Sequence, residues 1–325
     1  MSNDLSRSAA AALAVLMLAT ALPARAAETW KLGVVEAKGD AGILFMPQRT
    51  GAKYGVDIQI LQFASSTLPV KALLGGSIDA FTTSPSVALV AMSRGARLKF
   101  IGCNWPGATY TLYGAPGVKT IADLKGKSIG VSGPGSMPDQ FAREVLRANN
   151  MPTNQVIFAN AGGGSDRFRA LLAGVVKATA TTGEFEPEAR KHGINILARA
   201  HDVTPNFARN CIVTTDKILA TRRDSLVRFL AANMDAVTYA QSHRKETLAL
   251  TRQVAKLPPT DASPEFIYDE AIRQKDLDAT LAVPVGKLQW IEDMLVRNKS
   301  LDRSQNVTAF IDDGPRRAAL KILKP

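Results

Sequence analysis

Asp123-Leu124-Lys125-Gly126-Lys127-Ser128-Ile129-Gly130-Val131-Ser132-Gly133-Pro134-Gly135-Ser136 reads as a short apolar strand that runs into a glycine and serine loop and then into a helix. Such a junction suits anions and polar ligands. A helix start leaves backbone N–H groups unpaired and carries partial positive charge, and glycine lets a ligand approach the main chain closely. Ser136 serves there either as helix cap or as ligand contact. The same grammar recurs at Ile78-Asp79-Ala80-Phe81-Thr82-Thr83-Ser84-Pro85-Ser86 and at Val156-Ile157-Phe158-Ala159-Asn160-Ala161-Gly162-Gly163-Gly164-Ser165. Three such loops in one chain predict a cleft that grips a small molecule.

Outward from this stretch, short strands and helices alternate on both sides. Before it, strands are expected at Trp30 to Val35, Asp57 to Leu61, Ile78 to Phe81 and Leu98 to Ile101. Helices at Gly42 to Tyr54, Leu68 to Leu74 and Ser86 to Ser93 alternate with them, closed by Gly55, Gly75-Gly76 and Gly95. After it, helix Ser136 to Asn149 is followed by strands at Val156 to Phe158, Ala178 to Thr181 and Asn195 to Leu197, with helices at Asp166 to Leu172 and Pro187 to Lys191 between them. This alternation makes βαβ units and mainly parallel sheets. Asn104-Trp105-Pro106-Gly107 interrupts the first series and leads into an extended connecting strand at Tyr110 to Tyr113, and Cys211 to Thr214 is extended again. From Lys217 the pattern is almost wholly helical. Leu226, Leu230, Met234 and Val237 share one helical face, and Leu288, Ile291 and Leu295 repeat the spacing.

The second series has helices of its own, so the helical tail is expected to pack on the first. The fold class that follows is α/β with two lobes, the second inserted into the first. The expected division is 1–26 as an export signal, 27–107 with 212–325 as the first lobe, and 108–211 as the second. Ligands of open α/β sheets sit outside the carboxyl ends of the strands, so two such ends should face each other across the cleft. Two crossovers, near 103–113 and 207–214, make a hinge for closure around a ligand.

The N-terminus supports export. Arg7 precedes an apolar run from Ala9 to Leu22, and Ala24-Arg25-Ala26 places small residues where a signal peptidase reads, so cleavage is expected after Ala26. That run is shorter than the ~20 residues needed to span a bilayer. No cysteine near the cut suggests a lipid anchor. With 46% apolar and 21% charged residues the composition is that of an ordered globular chain, and its length favours two domains over one core. The net charge of +11 suits acidic ligands or an anionic surface. Nucleic acid is disfavoured because the basic residues are scattered and not striped with aromatics. Arg222-Arg223, Arg316-Arg317 and Lys321 read as solvated helix faces. Cys103 and Cys211 fall in the two crossovers and should lie near each other; export permits a bridge, and two buried thiols are the alternative. Two cysteines and three dispersed histidines, His192, His201 and His243, predict neither a metal site nor a cofactor.

Four segments carry a family resemblance: Leu73-Leu74-Gly75-Gly76-Ser77-Ile78-Asp79-Ala80, Ser93-Arg94-Gly95-Ala96-Arg97-Leu98, Asp123 to Lys127 leading into Gly135-Ser136, and Ala170-Leu171-Leu172-Ala173-Gly174. Through them the chain resembles the periplasmic substrate-binding proteins of ABC importers, in the NMT1-like group that serves sulfonates, taurine, nitrate and thiamine precursors. The likeness covers most of the chain up to about Leu197; the helical tail matches only in kind. It implies the type II two-lobed fold, a periplasmic location, a small-molecule ligand, a membrane permease of an ABC importer as partner and a monomeric receptor without catalysis. Where the family usually carries a second Asp-Ala pair, Lys177-Ala178 stands here, so the ligand cannot be copied from sulfonate or taurine binders. A TRAP-type receptor and a thiamine-pyrimidine-forming enzyme of the same fold are the alternatives. The enzyme relies on a cysteine-rich motif and a histidine that this chain lacks. A LysR-type effector domain shares the lobe plan but would begin with a DNA-binding helix-turn-helix.

The resemblance also places the ligand on the loops after the strands. The candidates in the first lobe are Lys38, Ser65, Ser66, Thr83, Ser84 and Ser86; Trp105 at the hinge is a candidate to stack on an aromatic ligand, with packing beside Pro106 as the alternative. Those in the second lobe are Ser132, Ser136, Ser165, Arg167 and Glu184. Each serine serves equally well as a helix cap or a ligand contact. Lys38 and Arg167 offer a positive charge to a carboxylate or sulfonate, Arg167 in bidentate geometry, although it also fits a solvated helix position. Glu184 disfavours an anion unless it pairs with Arg167 or binds an amine. Gly126-Lys127-Ser128 mimics the end of a P-loop, but Ile121 occupies the earlier glycine position and a strand follows. Gly133-Pro134-Gly135-Ser136 is not the Gly-x-Ser-x-Gly elbow of esterases.

Overall fold

The computed structural model describes residues 27–35 and 37–323; the expected export segment at 1–26 lies outside the described residues. Numbering elements in chain order, β1 (Glu28–Val35) runs parallel to both β2 (Val56–Phe63) and β3 (Ala80–Thr83). β10 (Asn210–Thr215) pairs antiparallel with β3 and with β4 (Leu98–Trp105), which gives the order β2-β1-β3-β10-β4. The second sheet repeats the plan. β6 (Ser128–Val131) is parallel to β7 (Ile157–Asn160) and β8 (Ala178–Thr182), while β5 (Tyr110–Gly114) lies antiparallel between β8 and β9 (Asn195–Arg199), for the order β7-β6-β8-β5-β9. The chain passes from the first sheet to the second between β4 and β5 and returns between β9 and β10.

Three strand expectations need correction. The strand expected at Ile78 to Phe81 begins two residues later, because Ile78 is buried in the core and the Asp79 carboxylate accepts the Lys31 N–H at 2.8 Å. The break expected at Asn104-Trp105 comes at Pro106, since Trp105 is still in register with Asn210 across a bulged ladder. Tyr110 to Tyr113 is more than a connector: Leu112 and Tyr113 are fully buried, with a strand on each side.

Helices α1 (Ala41–Phe45) and α2 (Pro47–Thr50), with a 3₁₀ turn at Gly51–Tyr54, replace one long helix. The run ends on Gly55 in the left-handed region, φ 67°, where glycine carries no steric penalty. α3 (Leu68–Leu74) and α4 (Pro85–Ser93) complete the first series. α5 (Met137–Ala148), α6 (Gly164–Leu172), α7 (Glu186–Lys191) and the short α8 (Ala200–Val203) serve the second.

The tail comprises α9 (Asp216–Thr221), α10 (Arg223–Ser242), α11 (Arg244–Ala255), α12 (Ser263–Arg273), α13 (Val285–Arg297) and α14 (Gly314–Leu323). Leu226, Leu230, Met234 and Val237 of α10 are buried together with Trp30, which stacks on Phe229 at 4.6 Å between ring centroids. Each such side chain contributes about 1.5–3 kcal/mol by leaving water. Leu288, Ile291 and Leu295 of α13 are buried likewise, beside α4. α11 lies so close to α1 that a Cβ on Gly42 would meet the Thr247 carbonyl oxygen, and the Gly42 N–H donates to Thr251 Oγ1 at 2.9 Å.

The tail also reaches the second lobe. α12 packs on the 3₁₀ turn Gly183–Phe185 and on α7, and Asn298 and Ser300, just past α13, hydrogen-bond Gln140 of α5.

Two surface expectations fail. Arg222 is no solvated residue: it bonds Glu28 and Asp79 at 2.7 Å each and lies 4.2 Å from the Trp30 ring. Arg316 is largely buried against Asp313. The Cys103–Cys211 pair forms a disulfide between the adjacent strands β4 and β10, so the bridge and not the two-thiol alternative obtains. Among the described residues, no helix is long and apolar enough to cross a membrane.

Candidate functional site

The carboxyl ends of β1, β2 and β3 and those of β6, β7 and β8 point into one narrow space between the sheets, about 70 Å³ in volume. Lys38 reaches it from the loop after β1, Ser65 and Ser66 from the loop after β2, and Thr83 with Ser84 from the end of β3. Opposite them stand Ser132 after β6, Ser165 and Arg167 in the first turn of α6, and Glu184 after β8.

Three candidates lie elsewhere. Ser86 is fully buried within hydrogen-bond distance of Ser84 Oγ at 2.8 Å. Ser136 turns its hydroxyl onto the Gly133 carbonyl at 2.7 Å, closing the loop before α5. Trp105 is buried and does not line the space.

Arg167 is not a solvated helix residue. It is 4% exposed, and its Nε donates to the Ala180 carbonyl at 2.9 Å and its Nη1 to the Gly162 carbonyl at 2.8 Å. It thereby ties the glycine loop before α6 to the strand β8. Glu184 bridges its own strand end and the opposite lobe. Its Oε1 accepts from Thr182 Oγ1 at 2.9 Å, and its Oε2 accepts the Gly39 N–H of the other lobe at 2.6 Å. Burial, and then the nearby Asp40 carboxylate, push Glu184 from the ordinary 4.5 up to about 7. Lys38 Nζ sits 4.7 Å over the Phe185 ring, a second contact between lobes. An outer groove shares Lys38, Ser165 and Glu184 with the inner space and opens between α6, α7 and the loop before α12.

A second buried guanidinium at the site, Arg209, is absent from the sequence-based candidates. Its Nη2 is ion-paired with Asp40, its guanidinium lies 4.1 Å from the Trp105 ring, and its main-chain N–H donates to the carbonyls of Trp105 and Gly107 at 3.1 and 3.0 Å. Asn210 and Tyr110 also line the space. All three sit at the amino ends of the antiparallel strands β10 and β5, which begin at the cleft where the parallel strands end. Searching only after strands passes over them. The crossover reading of Cys211 to Thr214 holds the signal, because a strand that returns from the second lobe must leave the cleft just before it starts.

A family model described as "NMT1/THI5 like" matches residues 52–247. The chain belongs to the NMT1/THI5-like family. Among curated relatives, a Brucella abortus protein whose name describes a binding protein is 22% identical over 231 residues, 69% of this chain and 70% of its own length. Two solved structures share the fold. The alkanesulfonate-binding protein of Xanthomonas axonopodis pv. citri, bound to MOPS, has a TM-score of 0.72 at 18% identity, over 87% of this chain and 98% of its own. The nitrate-binding protein of Synechocystis has a TM-score of 0.75 at 15% identity, over 91% and 89%. This NMT1/THI5-like chain therefore has the two-lobed architecture of binding proteins, with its own set of residues lining the space between the lobes. Chemically, the lining offers fixed cations, hydroxyls and two carboxylates. It contains neither histidine nor cysteine among the described residues.

Proposed function

We propose that this protein is an extracytoplasmic solute receptor that binds a small organic anion, an aliphatic or aromatic carboxylate or sulfonate, between its lobes and delivers it to an ABC permease. The observation that carries the reading is the enclosed interlobe space, where Lys38, Arg167 and Arg209 outnumber Asp40 and Glu184. In this reading residues 1–26 direct export to the periplasm, the lobes divide as 27–107 with 212–325 and 108–211, and closure turns about the two crossovers. The receptor acts as a monomer and leaves its ligand chemically unchanged, because the lining supplies donors without an activated nucleophile. Lys38, Ser65, Ser66, Thr83, Ser84, Ser132, Ser165, Arg167 and Glu184 are the proposed lining contacts, joined by Arg209.

A thermal-shift screen of aliphatic and aromatic carboxylates, sulfonates, nitrate and pyrimidines tests the reading. A ligand at 100 times its Kd stabilises the fold by about 2.7 kcal/mol, enough for a clear shift. Recovery of the bound compound unchanged supports a receptor. Turnover by the pure protein would overturn it.

A further inference from the structure

Two residues that line the interlobe space, Ser66 and Arg209, each carry a buried polar atom with no hydrogen-bond partner among the described residues: Ser66 Oγ and Arg209 Nη1. Each residue is only 8% exposed, one in the loop after β2 and the other at the return crossover. A buried donor left unpaired is costly, and for a cation more so, which makes such atoms the exception in folded proteins. The rest of Arg209 is immobilised by Asp40, by the Trp105 face and by its main-chain bonds to Trp105 and Gly107. The Cys103–Cys211 bridge joins the two segments that carry Trp105 and Arg209, each two residues from its cysteine. A guanidinium held this way presents Nη1 without a further loss of rotamer freedom when a ligand arrives.

Arginine only donates, and the serine hydroxyl can donate beside it, so together they fit an oxyanion. The surroundings limit its charge. Asp40 pairs with Nη2 of the same guanidinium and Glu184 lines the opposite wall, both buried, and a second negative charge on the ligand would face them in a poorly solvated space.

We propose that Arg209 Nη1 and Ser66 Oγ together hold the oxyanion of a singly charged organic ligand, and that Asp40 and Glu184 make this site reject dianions. The inference rests on the receptor reading and specifies its ligand class and its anchor.

The test uses matched probes near pH 8: butyrate against succinate, benzoate against phthalate, and ethanesulfonate against ethane-1,2-disulfonate, with affinities from calorimetry. The expected result is binding of at least one monoanion in preference to its dianion. Arg209→Gln should then weaken that monoanion by about 30-fold or more, and Ser66→Ala by about tenfold. Glu184→Gln should narrow the preference over the dianion. Should Arg209→Gln fail to fold, Ser66→Ala and Arg209→Lys carry the test, the lysine variant keeping the charge while losing the fixed fork. A dianion bound best, no binding of any of the six probes, or a monoanion bound equally by parent, Ser66→Ala and Arg209→Lys would overturn the inference. Native mass spectrometry of the protein as purified separates this from failure of the receptor reading. An organic anion retained by the parent and by both variants leaves the receptor standing and removes the anchor. A neutral or cationic solute in the cleft removes the anion receptor itself.

Discussion

Arg167 and Arg222 look alike in the sequence, each an arginine at a helix start, and only their surroundings separate them. Arg167 lines the cleft and holds Gly162 and Ala180 through their carbonyls. Arg222 bonds Glu28 and Asp79 on the edge of the first lobe, outside the cleft lining. Arg222→Ala is therefore expected to lower unfolding stability by about 1–3 kcal/mol with ligand affinity unchanged. Arg167→Ala should lower both, the affinity by about tenfold or more. Urea unfolding and calorimetry on the two variants decide it: equal affinities would remove Arg167 from the site. At this scale the residues after parallel strands are legible, because a strand, a glycine and a hydroxyl follow one another in sequence. Arg209 is not, since its meaning comes from Asp40, 169 residues away, and from the ring of Trp105. Trp105 reads either as a residue that stacks on an aromatic ligand or as packing, and it is buried against the Arg209 guanidinium, away from the lining.

Elements are read more reliably than residues, because hydrophobic period and glycine stops act locally. α3 matches its expected span, and the buried faces of α10 and α13 are those expected. What escapes the sequence is set by partners distant along the chain: the extension of β4 to Trp105 needs Asn210, and the burial of β5 needs β8 and β9.

Two predictions belong to these contacts. A Cβ on Gly39 would lie 2.6 Å from Glu184 Oε2 across the cleft and 3.0 Å from the Ser263 carbonyl oxygen, a main-chain atom of its own lobe that keeps the Gly39 loop from backing away from Glu184. Gly39→Ala should hold the lobes apart, so solution scattering with saturating ligand is expected to give a larger radius of gyration than the parent, with affinity about tenfold weaker. An unchanged radius and affinity would mean that the loop yields freely. The Cys103–Cys211 bridge closes a long loop, with a sequence separation of 108, so Cys103→Ser with Cys211→Ser should lower stability by about 2–5 kcal/mol in denaturant. Thiol titration of the unfolded parent without reductant should find no free thiol, and two per chain would exclude the bridge.

For the molecule as a whole, the lobes meet both through the tail contacts of α12 and the end of α13 and, inside the cleft, through Glu184, which titrates. Glu184 accepts the Gly39 N–H across the cleft and faces Asp40, Arg209 and Lys38, with Asp261 and Ser263 along the outer groove. With the lobes together, burial first and Asp40 second raise it to about 7. With the lobes apart, water returns it toward the ordinary 4.5. The sign follows from proton uptake. Below the open-state value Glu184 is protonated in both forms and closure bears no ionic penalty. Between about 4.5 and about 7 the open form ionises first, so closure loses ground as pH rises, and above about 7 the loss is constant. Affinity for a sulfonate probe, whose own charge does not change in this range, is expected to rise toward acid and approach its plateau below about pH 4.5. It should fall by at most about tenfold per pH unit and level off above neutrality. His201, paired with Asp276 behind the hinge and raised by that hydrogen bond, favours the paired arrangement at low pH too and loses that contribution as pH rises through its own raised value. Glu184→Gln separates the two, since it should remove the slope between about pH 5 and 6.5 and leave only the contribution from His201, which is lost above the ordinary imidazole value of 6.5. A parent protein whose affinity is flat from pH 5 to 8 would show that Glu184 keeps one charge state in both forms, and that its carboxylate is already satisfied by Thr182 and Gly39 as the lobes close.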